Sequence, residues 1–360
     1  ESGFPDADPE NVGEITRIRQ TAGREGSLET GANKTYRTVH GLWIRKIDPV
    51  RNVGFEGFTL RRLDNEPSSQ NAYNSGDNFL FDVAVNCWIR GVAGRNTCRH
   101  HVCVNRSGHL LVEGSSFAEA VSRDENSYGY GVLLEVCTSR CLIQNNAFDR
   151  LRHAMAVCEG VNGNVFAFNY SRGQTWTYHG LPNLFQGADL CLHGRYPYAN
   201  LFEHNVVEFV YADNSHGANG PFNTFLRNWV YHGFNGKGLL RLYRAPQSIV
   251  LGNISTPTRS ARVRYDSCKP FRDTFGRDRK QRPRTHKESH DVEWDPAETG
   301  LATVSFFYGS RPDFLPAEYT WPAVGPDAGN GPPVQRIPAM RWYEAGRGAD
   351  RTAVTEWEGR

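Results

Sequence analysis

The dipeptide His-Gly occurs at His193-Gly194 and again at His216-Gly217, 23 residues later, and the run Arg241-Leu242-Tyr243-Arg244 begins 25 residues beyond that. Asp189, Asp213, Glu159 and Arg195 lie close by in the chain. These side chains can bind an anion and move protons. Breaking a uronic acid chain by β-elimination needs three groups: one to neutralise the carboxylate, one to take the adjacent proton, and one to protonate the leaving oxygen. The planar fork of Arg suits the first task. His, Tyr or Arg can do the second if its pKa is tuned, and Tyr or His the third. His193, His216, Arg241 and Tyr243 are therefore catalytic candidates, together with Asp189 and Asp213. Glu159, Arg195 and Arg244 are candidates for holding substrate. Trp176 and Tyr178, in a long insertion, could stack on sugar faces. Hydrolysis makes a different demand, two carboxylates flanking the bond. Asp189 and Asp213 are the obvious pair, with Glu159 or Glu203 as substitutes.

A purely structural origin competes with each of these roles. A repeat can place the same dipeptide in successive turns, with imidazoles stacked and Gly at a tight bend. Asp189 and Asp213 can cap turns. Metal ligation has weaker support. His100 and His101 are adjacent, so on a strand they point to opposite faces. Asp124-Glu125 lacks the alternating oxygen ligands of a calcium loop. The pattern requires no metal and leaves calcium open.

Something must bring these residues together, and a repeat does so. Similar segments start at Trp88 (WIRGV), Leu111 (LVEGS), Leu142 (LIQNN), Val165 (VFAFN), Leu201 (LFEHN), Thr224 (TFLRN) and Ile249 (IVLGN), with a weaker one at Val53. From Trp88 onward the spacings are 23, 31, 23, 36, 23 and 25 residues. A minimum of 23 suits one coil of a solenoid, and the longer spacings add inserted loops. The second position reads Ile89, Val112, Ile143, Phe166, Phe202, Phe225, Val250, all apolar and strand-favouring, so it should face the core. The fifth position holds Asn146, Asn169, Asn205, Asn228 and Asn253, preceded by Ser115. Asn tolerates a left-handed bend, and stacked amides can bond from coil to coil. Asn164, Asn200 and Asn223, each just before a segment, make a shorter ladder.

Counting back from each start predicts the preceding strand. Nine residues upstream lie Phe79, Val102, Leu133, Ala156, Leu192, Ser215 and Leu240, expected to point inward. Eight upstream lie Leu80, Cys103, Leu134, Val157, His193, His216 and Arg241; six upstream lie Asp82, Asn105, Val136, Glu159, Arg195, Ala218 and Tyr243. Alternation sends both sets outward. His193, His216 and Arg241 should then form a stripe, beside Glu159, Arg195 and Tyr243, with Asp189 and Asp213 opening the strands. Insertions at 117–130 and 171–186 would wall this face.

Composition narrows the class. The chain has 41 Lys and Arg against 39 Asp and Glu, a balance that speaks against a general nucleic-acid binder. No apolar run is long enough for a transmembrane helix. The opening ESGFPDADP has no basic-then-apolar leader, so any signal peptide was removed or never present. Eight cysteines are read mainly as small buried residues, although their even number also suits disulfides in an exported protein. Residues 1–50 are expected to form an irregular N-terminal cap, 51–260 the coils, and 261–360 a basic loop and an extended, proline-interrupted tail packed on the outside.

With its columns aligned, the chain resembles the pectate-lyase-like superfamily of right-handed parallel β-helix proteins over about residues 50–260. The runs DLCLHGRYPYANLFEHN and DNSHGANGPFNTFLRN are similar to those of bacterial secreted members. The resemblance implies an all-β fold and a secreted or cell-surface, monomeric, carbohydrate-active enzyme. Its partner would be a polysaccharide or oligosaccharide, with neither nucleic acid nor membrane insertion involved. The leading expectation is a lyase acting on an acidic polysaccharide. A glycoside hydrolase and a non-catalytic adhesion protein are the alternatives. The order Asp189, His216-Gly217, Arg241-Leu242-Tyr243 is similar to that of polygalacturonases, without their adjacent Asp-Asp.

Overall fold

The computed structural model describes residues 12–23, 25–37, 41–63, 76–124, 128–178, 181–213, 216–231, 240–255, 261–266, 272–273, 289–292, 304–325 and 337–346. Three stacked sheets of nine, nine and eight strands dominate the described residues. Each coil contributes one short strand to each sheet and then pairs, in parallel, with the coil above. The one exception in these three sheets is the last pair of the first sheet, Ala261–Asp266 with Ser289–Val292, which is antiparallel. The fold is thus an all-β parallel solenoid, a β-helix.

The second sheet is built from the repeated segments in the expected register. Ile89, Val112, Ile143, Phe166, Phe202, Phe225 and Val250 pair in sequence and are buried in one core. Phe166, Phe202 and Phe225 stack with ring centroids 5.2 and 5.1 Å apart. Burying a Phe side chain is worth about 1.5–3 kcal/mol, so this column is a main source of cohesion between coils.

The Asn ladder is continuous. Asn146, Asn169, Asn205 and Asn228 each donate Nδ2–H to Oδ1 of the next, at 3.1, 3.0, 3.0 and 2.9 Å. Each Oδ1 also accepts the backbone N–H of the preceding Asn, and each second amide hydrogen reaches a main-chain carbonyl. The shorter ladder links Asn164, Asn200 and Asn223 in the same way. The left-handed backbone, however, sits one residue earlier, at Gly91, Gly114, Asn145, Phe168, His204, Arg227 and Gly252. The ladder residue therefore bonds across coils, while its predecessor makes the bend.

The first sheet departs from the expected register. Its inward column is Phe79, Val102, Val132, Met155, Leu190, Val210, Leu240. From these residues to the next segment start is nine positions for Phe79, Val102 and Leu240, ten for Val132 and Met155, eleven for Leu190, and fourteen for Val210. The corner between the first and second sheets varies in length. Counting back nine therefore held for only three coils, and a slip of one residue turns a strand's side chains to the opposite face.

Two other segments lie along the flanks. The N-terminal stretch covers the variable corner: Ile15 N–H donates to Ser139 Oγ, Arg140 Nη1 to Glu14 Oε2, and Asn33 Nδ2 to Asn162 Oδ1. Tyr36 shares a hydrogen bond with Tyr198. At the other end, Tyr308, Phe314 and Trp321 pack on Phe168, and Trp321 on His204. Ser305 Oγ and the Phe306 N–H donate to buried Glu203, which removes Glu203 from the list of free acids. A helix that the sequence reading did not contain, Pro338–Glu344, packs nearby, with Tyr343 against Tyr170. Seven cysteines fall among the described residues and all are free thiols.

Candidate active site

With the register corrected, the outer face of the first sheet carries two columns. One reads Leu80, Cys103, Leu133, Ala156, Cys191, Tyr211, Arg241. The other reads Asp82, Asn105, Glu135, Cys158, His193, Asp213, Tyr243, each following an inward residue. Within the column, His193 is therefore followed by Asp213, and His216 is not part of it. His193 Nδ1 lies 2.6 Å from Asp213 Oδ2, a distance for a charge-assisted hydrogen bond. Cys191 Sγ lies 3.6 Å from the same oxygen and 3.9 Å from His193 Nδ1. Burial, and next the Asp213 charge, push the Cys191 thiol well up, so it stays protonated.

His216 lies in the long corner after Asp213, outside the strand column. Its exposed ring still meets His193 edge-on, 4.6 Å between centroids. Partial burial and the neighbouring His193 hold its pKa below the usual imidazole range. In the coil above, Arg241 lies over Tyr211 and Tyr243 at 5.3 and 5.0 Å, and its Nη2 donates to the Tyr243 hydroxyl. Arg241 Nε is buried with no partner among the described residues.

The remaining candidates separate. Asp189 does not share a column with Asp213. It precedes the inward Leu190, is fully buried, and accepts from Ser171 Oγ and the Phe209 N–H. Burial and Glu208 push its pKa well up. Asp213 follows its strand rather than opening it. The two are four positions apart along register-matched strands, about 13 Å. Glu159 and Arg195 are left-handed turn residues just past the column, and they pair with each other. Arg244 is the corresponding turn residue of a later coil. Trp176 sits in an antiparallel hairpin, Thr175–Tyr178 with Leu181–Gln186, where Arg152 lies 5.8 Å from its ring. Tyr178 is in that hairpin, but its side chain lies outside the described residues.

Several residues here were not anticipated. Buried Asn219 takes the Gly194 N–H on Oδ1 and donates Nδ2–H to the carbonyls of Asp213 and Tyr243. One amide thus ties three coils directly beneath His193, Asp213 and Tyr243. Below the site a file of rings continues, with His193 5.9 Å from His153, His153 4.9 Å from Tyr130, and Tyr130 5.1 Å from His100. Burial, then Arg152 and His193, keep His153 neutral.

No family model matches the chain, and no curated protein or solved structure does. The architecture is a β-helix on its own geometry, and the chemistry rests on the residues themselves. Among the described residues, two groups of donors are compact enough to share a metal ion: Cys191, His193 and Asp213 at this site, and Asp77, His100 and Cys103 at the far end of the ring file.

Proposed function

We propose that the outer face of the first sheet cleaves an acidic polysaccharide by β-elimination, as a carbohydrate-active member of the pectate-lyase-like superfamily. The observation that carries this reading is the His193–Asp213 hydrogen bond, with the Arg241–Tyr243 pair in the adjoining coil. Asp213 accepts from Nδ1, which fixes the ring and leaves Nε2 as the proton acceptor. Arg241 supplies the guanidinium charge for the uronate carboxylate, and Arg195 adds positive charge at the rim.

In the reaction, His193 takes the proton from the carbon next to the carboxylate. The freed electron pair forms the carbon–carbon double bond, and the glycosidic C–O bond breaks. Tyr243, already accepting from Arg241, gives its hydroxyl proton to the departing oxygen. Asn219 holds the three strand ends in place. Hydrolysis through Asp189 and Asp213 has less support, because Asp189 is sealed among its own donors.

The test is incubation with a panel of uronate polymers, following the ultraviolet absorbance of unsaturated ends. Product formation that His193→Ala and Asp213→Asn abolish supports the lyase. Reducing ends without unsaturation would replace it with a hydrolase, and no cleavage of any polymer would leave a binding rod.

A further inference from the structure

The lower end of the ring file carries its own cluster, remote from the proposed active site. His100 sits at the start of one strand and Cys103 three residues along it, and both face outward. Two consecutive inward residues, His101 and Val102, separate them: His101 packs on Phe117, and Val102 lies in the core. Asp77, in the coil below, reaches up to His100, with Oδ1 2.7 Å from Nδ1. In the coil above, Glu135 Oε2 lies 3.7 Å from Cys103 Sγ.

We infer that Asp77, His100 and Cys103, with Glu135 as a fourth donor, form a binding site for one divalent ion of the zinc class. The ligand atoms of the first three lie within 4.8 Å of one another. A thiol, an imidazole and carboxylates together suit zinc or cobalt, whereas calcium and magnesium prefer oxygen alone. Three further observations point to a cation. His100 and Asp77 are largely shielded from solvent, with side-chain exposure of 0% and 9%. His100 Nδ1 and Asp77 Oδ1 face each other at 2.7 Å, so an ion would take the place of the proton they share. Finally, Asp77 and Glu135, from the coils on either side, both reach the strand that carries the buried Cys103 thiol. A cation between these groups would offset their mutual repulsion.

A cysteine ligates an ion as the thiolate, so ion binding would release the Cys103 proton. The bound ion would link three successive coils. That makes it a staple for the N-terminal end of the solenoid, and it does not depend on the lyase reading.

The experiment is a cobalt(II) titration of chelator-treated protein, read by thiolate-to-cobalt charge transfer in the near ultraviolet and by tetrahedral bands in the visible. Binding of one equivalent is expected in wild type and in Cys191→Ser, with the charge-transfer band lost in Cys103→Ser. Zinc should displace the cobalt and raise the melting temperature of wild type but not of Cys103→Ser. Asp77→Asn, which keeps the side-chain shape, should weaken cobalt binding at least tenfold; it decides the matter if Cys103→Ser fails to fold. Absence of a band in wild type overturns the site. So does a band that survives Cys103→Ser and disappears in Cys191→Ser, because the ion would then sit at the other cluster.

Discussion

Replacing Asn219 by Ala removes a single buried amide that serves three coils. Its Oδ1 takes the Gly194 N–H at 3.2 Å, and its Nδ2 reaches the carbonyls of Asp213 and Tyr243 at 2.7 and 3.0 Å. The substitution leaves the Gly194 N–H buried without that acceptor, at a cost of about 1–3 kcal/mol. Two carbonyls each lose a hydrogen bond worth about 0.5–1.5 kcal/mol. The expected loss is therefore about 2–6 kcal/mol. For a cooperative unit of 360 residues the unfolding entropy is about 0.76 kcal/mol/K, so the melting temperature should fall by about 3–8 °C. Circular dichroism melts measure this directly. The same change frees the strand ends that carry His193, Asp213 and Tyr243, so turnover of a uronate polymer should drop at least tenfold at a temperature where the variant remains folded. Asn219→Asp separates the two halves of the argument. It keeps the acceptor for Gly194 and sets a carboxylate against two carbonyls, so it should be the more harmful at neutral pH and recover as the carboxylate is protonated. A melting temperature within about 1 °C of wild type for Asn219→Ala would refute the reasoning.

Asn205→Ala, in the middle of the ladder, strands the Asn169 N–H and one Asn169 amide hydrogen and should cost about 2–6 kcal/mol in urea denaturation. Gly194→Ala should destabilise by about 1–3 kcal/mol and reduce any activity, since its φ is 77° and the new Cβ would come 2.7 Å from the Gly217 carbonyl; thermal melts and the polymer assay check both. Acid should weaken the fold through His101, pushed down to about 3 by burial. The unfolded chain binds a proton below about pH 6.5 and the folded chain does not, so stability falls as pH drops from 6.5 towards 3, by up to about 1.4 kcal/mol per pH unit. His153 and His216, both held low, act in the same direction. His101→Gln should flatten the pH dependence of the urea midpoint over that range.

The second sheet was legible because its segments keep one length. Ile89 through Val250 could be aligned by inspection, and the Asn ladder fixed their phase. The first sheet was not, for a reason visible at Leu133 and Leu134. Both are apolar, so alternation alone could not decide which faces inward, and the count from the next segment decided wrongly. The corner after Val210 is five residues longer than that after Val102, which displaced His216 from the strand and hid the bond between His193 and Asp213. Inward pairs such as Met155 with Val157 and Leu190 with Leu192 did contain the correct phase. Asn219 had no signature at all, because its three partners belong to different coils.

The ladder from Asn146 to Asn253 has a direction as well as a strength. Every Oδ1 in it points back towards the earlier coil, and from Asn169 onward it accepts from that coil's Asn. Five amide dipoles therefore align along the axis of the solenoid, at right angles to the strands, whose own dipoles lie across it. Each polarises the next, so a bond in the middle of the row is strengthened by both neighbours. The row behaves as a small electret inside an otherwise apolar rod. Its first oxygen is met by the Ser115 N–H, which closes the negative end with a backbone donor. Adding a coil that carries the same Asn would lengthen this polar axis without any new kind of contact.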